Sequence, residues 1–98
     1  MTVRILLHAP TTDALDRARS NARNVLVADP AAEIEIVVNA GAVVTVLESS
    51  DPQIDPLVRL CENSLRSQQL DNGGMRTVRV AILHIAQRQA EGWTYIRA

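Results

Sequence analysis

Apolar runs without polar alternation recur along this 98-residue chain, and each is followed by a stretch of helical character. The first, Val3 to His8, is rich in β-formers and stops at Pro10; its unbroken apolarity suits a strand buried on both faces. Thr12 and Asp13 can cap the helix that follows, whose apolar stripe is Leu15, Ala18, Ala22, Val25 and Leu26. Asp13 and Arg17 are spaced to pair on its outer face. Asp29-Pro30 ends it, because proline disfavours the α conformation in the residue before it. Glu33 to Asn39, which alternates at first and then turns apolar, reads as a second strand, Ala42 to Glu48 as a short helix opened by Gly41, and Leu57 to Cys61 as a third strand. Asn63 to Leu70 reads as a third helix, and Asp71-Asn72-Gly73-Gly74 is the clearest turn. Thr77 to Ala81, Ile82 to Ala90 and Trp93 to Arg97 then give strand, helix and strand. This alternation predicts a single α/β domain over residues 1–98. Its expected form is a three-layer α/β/α sandwich on a mostly parallel five-stranded sheet, with right-handed crossovers.

Composition narrows the chemistry. Aromatics are 2% of the chain and Phe is absent, so the core must come from Ala, Val, Ile and Leu. Every one of the 10 basic residues is Arg, which excludes a lysine base, a Schiff base and a P-loop lysine. With a net charge of -1 and no basic stripe interleaved with aromatics, no nucleic-acid partner is expected. No apolar run approaches membrane-spanning length, and the first is too short for a signal peptide, so a cytoplasmic protein with no membrane partner is expected. A lone cysteine precludes an intrachain disulfide and suits a reducing compartment. No Cys/His pair has metal-ligand spacing, and neither a metal nor another cofactor is expected. Asn39-Ala40-Gly41 precedes a helix but carries one Gly where a phosphate-binding fingerprint needs several, so a nucleotide site is poorly supported.

Chemistry, if present, centres on Cys61. It lies where a strand hands over to a helix, at the carboxyl edge of the sheet and the positive end of a helix, and both favour a thiolate. An accessible, nucleophilic thiol is expected there. The plain alternative is that Cys61 packs as a small hydrophobe, as free cysteines commonly do. In open α/β sheets, ligands bind outside the carboxyl ends of the strands. His8, Asn39, Gly41 and Asn63 fall at those ends and are the expected ligand-binding residues, lining a cleft into which Cys61 opens. His8 belongs at its margin: neighbouring strands are about 4.8 Å apart, and two such spacings exceed a hydrogen bond. His84, in the last helix, reads as a packing or interface residue.

Several stretches together resemble the DsrE/DsrF-like family of small α/β proteins. They are Asn21-Ala22-Arg23-Asn24-Val25-Leu26, Glu35-Ile36-Val37-Val38-Asn39-Ala40-Gly41, Leu60-Cys61-Glu62-Asn63-Ser64-Leu65 and Gln89-Ala90-Glu91-Gly92-Trp93-Thr94-Tyr95-Ile96. The cysteine stretch and the Gly-Trp-x-Tyr-Ile ending are the more specific. The resemblance implies a homotrimer or homohexamer, which apolar Trp93, Tyr95 and Ile96 near the chain end would also suit. It further implies sulfur relay: Cys61 as a persulfide carrier, with sulfur donor and acceptor proteins as partners. The alternative is a non-catalytic oligomeric module that binds a small ligand or a protein at the same edge.

Overall fold

The computed structural model describes residues 1–98. Five strands form one all-parallel sheet: β1 (Arg4–Ala9), β2 (Glu33–Val38), β3 (Val58–Cys61), β4 (Thr77–Val78) and β5 (Thr94–Arg97). The helices between them are α1 (Thr12–Ala28), α2 (Ala42–Glu48), α3 (Glu62–Ser67) and α4 (Ala81–Ala90). The expected architecture and element order hold, with ends shifted by a few residues. The strand after the glycine turn shrinks most, to two residues, because Val80 and Ala81 already belong to the start of α4.

Sheet order β4-β3-β2-β1-β5 explains how the layers fill. From β1 to β4 the chain steps one way across the sheet, so right-handed crossovers put α1, α2 and α3 on a single face. The next crossover returns the whole width to β5, and that reversal puts α4 on the other face. Two separate apolar clusters result. One packs Ile5, Leu7, Ile34, Ile36, Val38, Val58 and Leu60 against Leu15, Ala18, Ala22, Val43, Val46 and Leu65. The other holds Leu6, Val37, Cys61, Ala81 and Ile85, with Trp93 partly buried against them. Adjacent strand residues point to opposite faces, which is why the central strands are largely apolar: β1, β2 and β3 each serve both clusters, while β4 and β5 at the edges serve neither.

Local chemistry sets the helix ends. Thr11, rather than Thr12 or Asp13, caps α1: it is extended and its hydroxyl accepts from the Ala14 N–H at 3.1 Å. Arg17 does not pair with Asp13; its Nε donates to the Ala98 carbonyl at 2.7 Å and ties α1 to the chain end. Buried Arg19 donates to the Ser49 carbonyl beyond α2, and Arg23 pairs with Asp51 in the same connection. These contacts hold the Pro-bearing segment after α2 against α1. Gly73 and Gly74 turn at φ +60° and +79°, a region that favours glycine.

Ile36 is fully buried in the larger cluster, whereas Val27 is 83% exposed. Ile36→Ala is expected to cost about 2–5 kcal/mol and Val27→Ala less than about 0.5 kcal/mol, both measured by denaturant unfolding.

Candidate functional site

β3 and β4 are neighbours, but the helices that leave them go to opposite faces: α3 to the larger cluster and α4 to the smaller. Such a reversal opens the crevice in which doubly wound folds bind ligands. Cys61 sits in it. It is the last residue of β3 and the N-cap of α3, with its side chain turned toward α4. Sγ accepts a hydrogen bond from the N–H of Ala81, the first residue of α4, at 3.4 Å. The thiol therefore meets the positive ends of two helices.

Burial by itself pushes the Cys61 thiol up. The N–H groups of Ser64, Ala81 and Asn63 and the Ser64 hydroxyl outweigh that and hold it below its ordinary value. Ser64 and Ala81 are the residues that the sequence reading missed. Ser64 was within reach of it, because an N-cap side chain faces the N–H of the residue three positions on. Ala81 was not, since its approach depends on how α4 crosses the sheet.

Accessibility differs from expectation. Cys61 is only 4% exposed. The N–H of Asn63 donates to the Arg79 carbonyl at 3.3 Å, closing the crevice by linking the segments that leave β3 and β4. The four expected ligand-binding residues do not line a common open cleft with the sulfur. None of the five principal cavities is lined by Cys61, Asn39, Gly41 or Asn63. Gly41 caps α2 with an ordinary helical φ of -67°, on the face away from the thiol. Asn63 is exposed, and its backbone, not its amide, acts at the site. Asn39 accepts from His8 Nε2 at 3.0 Å; it follows β2 beside the end of β3, where Val38 is paired with Leu60, and its amide oxygen is engaged with His8, not with the sulfur; His8 is not bonded to Cys61, as expected. Between Asn39 and Gly41, Ala40 takes a left-handed φ of 50°. Two α3 side chains hold it there: Ser64 Oγ accepts from its N–H, and Gln68 Nε2 donates to its carbonyl.

A second constellation lies under α4. Glu35, on β2, is 4% exposed and accepts hydrogen bonds from Arg88 (2.7 Å) and from His84 Nε2 (2.7 Å). Arg59, on β3, stands 3.7 Å away. Burial pushes the Glu35 carboxyl up, yet the hydrogen bonds from Arg88 and His84 and the charges of Arg88 and Arg59 prevail, and it stays below the usual carboxylate range. One fact of register buries this carboxylate and gives His84, expected to pack or to meet an interface, a polar partner. Glu35 shares a face with Val37 beneath α4, whose residues 84 and 88 are one turn apart. A cavity of about 680 Å³ beside the cluster is lined by Arg4, Glu33, Glu35, Arg59, Arg88 and Trp93 among others. Its charges are largely spent on one another: Arg4 pairs with Glu33, and Arg88 with Glu35 and Glu91 while covering Trp93 at 4.9 Å. That contact also removes much of Trp93 from the surface expected for assembly.

Among solved structures, the protein of unknown function MTH1491 from Methanobacterium thermoautotrophicum is similar to this chain. The TM-score is 0.83 at 25% identity, covering 98% of this chain and 99% of that one. No family model matches the sequence. No curated protein matches it. No helix is long and apolar enough to cross a membrane.

Glu35→Gln leaves two guanidinium groups without their carboxylate. It is expected to destabilise by about 3 kcal/mol near neutral pH, the low end for breaking a buried pair because Arg88 keeps contact with water. A carboxyl held below its ordinary value stabilises the fold above that value, and the contribution is lost as pH falls through the lowered one. The gap between wild type and Glu35→Gln should therefore narrow as pH drops below the ordinary 4.5. Urea unfolding across that range measures it.

Proposed function

We propose that this protein is a sulfur-relay carrier of the DsrE/DsrF-like kind, holding sulfur as a persulfide on Cys61. The observation that carries the reading is the placement of one thiol at two helix starts, where Ala81 and Ser64 favour its anionic form. The same donors suit a persulfide anion, and a covered site shields it from oxidants. In the transfer step the Cys61 thiolate attacks the outer sulfur of a donor persulfide. A new S–S bond forms at Cys61, the donor's S–S bond breaks, and the donor leaves as a thiolate, so no external oxidant or reductant is consumed. The acceptor protein discharges Cys61 by the same exchange in reverse. Loading requires the Arg79–Val80 segment to move aside, since the Asn63–Arg79 backbone bond closes the crevice.

Incubation with a small-molecule persulfide donor should add one sulfur to the intact mass, absent in Cys61→Ser. Alkylation of Cys61 by iodoacetamide should rise with pH to a midpoint below that of an unstructured cysteine peptide. An unchanged mass, together with alkylation only after unfolding, would sink the proposal. It would leave the second reading, a non-catalytic oligomeric module with Cys61 packed inside, which the 4% exposure of that residue favours.

A trimer or hexamer in the cytoplasm belongs to both readings. Leu83 is 54% exposed on α4 and Ile96 42% exposed on β5; exposed apolar side chains suit an assembly surface. Light scattering at micromolar concentration should give three or six times the chain mass, and Leu83→Glu a smaller species.

A further inference from the structure

On the face that α4 covers, centred on β1, two strands from the one that carries the thiol, three side chains form a hydrogen-bonded relay that sulfur transfer does not use. His8 stands near the end of β1, Asn39 follows β2, and Tyr95 comes from β5 on the other side of β1. His8 Nδ1 lies 2.7 Å from Tyr95 Oη, and Nε2 lies 3.0 Å from Asn39 Oδ1. An amide oxygen only accepts, so Nε2 carries a proton. In the neutral imidazole Nδ1 is then the acceptor, and the Tyr95 hydroxyl donates to it. With its own proton engaged, Oη keeps its lone pairs to accept from another donor. Tyr95 is 38% exposed, so that oxygen is reachable.

Beside it is a cavity of about 350 Å³ lined by His8, Ile82, Ile85, Ala86, Gln89 and Tyr95. It lies toward the carboxyl end of β1, the side on which open α/β sheets receive ligands. One wall is apolar α4 surface and the other carries the Tyr95–His8 pair. The lining holds no carboxylate and no arginine, so an ionised ligand would find no counter-charge there. The volume is at the low end for small-molecule sites, which run from about 300 to 1,000 Å³.

We propose that this cavity binds a small neutral ligand of the phenol or alcohol class. The ligand's O–H donates to Tyr95 Oη, and its hydrocarbon body lies along Ile82, Ile85 and Ala86. Asn39 acts through His8: by accepting from Nε2 it sets the tautomer that keeps the tyrosine an acceptor. Two residues expected to serve Cys61 thus belong to a different site, and the inference does not rest on the persulfide reading.

The test compares para-cresol with toluene, the same ring without the hydroxyl. Each is titrated into the isotope-labelled full chain while NMR follows the methyl groups of Ile82, Ile85 and Ala86. Both should perturb these methyls and saturate, with para-cresol about tenfold tighter, the ratio expected for one additional hydrogen bond. Tyr95→Phe should bring the ratio close to one without weakening toluene, and Cys61→Ser should leave it unchanged. Equal affinities in the wild type, perturbations mapping elsewhere, no saturable binding, or a ratio that survives Tyr95→Phe would each overturn the proposal. The wild-type comparison decides by itself should the variant fail to fold.

Discussion

One helix covers an entire sheet face in this protein, and a buried carboxylate ties it down. The opposite face has α1, α2 and α3, whose alanines and branched residues interlock with three central strands. On its own face α4 contributes little beyond Ala81 and Ile85 to a five-residue cluster. Glu35 makes up the difference, gripping His84 and Arg88 one turn apart and drawing Arg59 in from β3. Three hydrogen bonds on one carboxylate, one from His84 and two from Arg88, fix both the position and the rotation of the helix, which apolar contacts alone do less well because they are non-directional.

That placement has consequences at both ends of α4's path. At its start, the helix brings the Ala81 N–H onto Cys61 and roofs the thiol. Along its outer side, it supplies Ile82, Ile85 and Ala86 as the wall facing Tyr95 and His8. A rotation of the helix would withdraw the donor from the sulfur and fill or open the cavity together. The charged cluster is thus a support for two candidate sites rather than a site with unspent charge of its own.

The strained turn at Ala40 belongs to the same logic on the other side of the crevice. A non-glycine residue at φ 50° costs about 1–2 kcal/mol, and here Ser64 and Gln68 hold it in place. Ser64 also favours the Cys61 thiolate. The loop after β2 and α3 are therefore linked through Ser64 and Gln68, and Ser64 also reaches the thiol.

The sequence by itself determined the architecture and the thiol's general place. Strand identity was legible in Val3 to His8 from an apolar run with few other uses in so short a chain and in Glu33 to Asn39 from alternation that turns apolar, and parallel order followed from the alternation with helices. That Cys61 ends a strand and starts a helix was equally local. Only the tertiary structure decided which side chains meet. Glu35 reads as a surface carboxylate in an alternating stretch, and its partners lie 49 and 53 residues away. Tyr95 and His8 are 87 residues apart and touch because β5 returns to the far side of β1. Whether Cys61 is open or roofed depends on where α4 crosses, and that is fixed by long-range ion pairing. Local patterns specify elements; contacts across the reversed crossover carry no periodic signature, so the site had to be read from the fold.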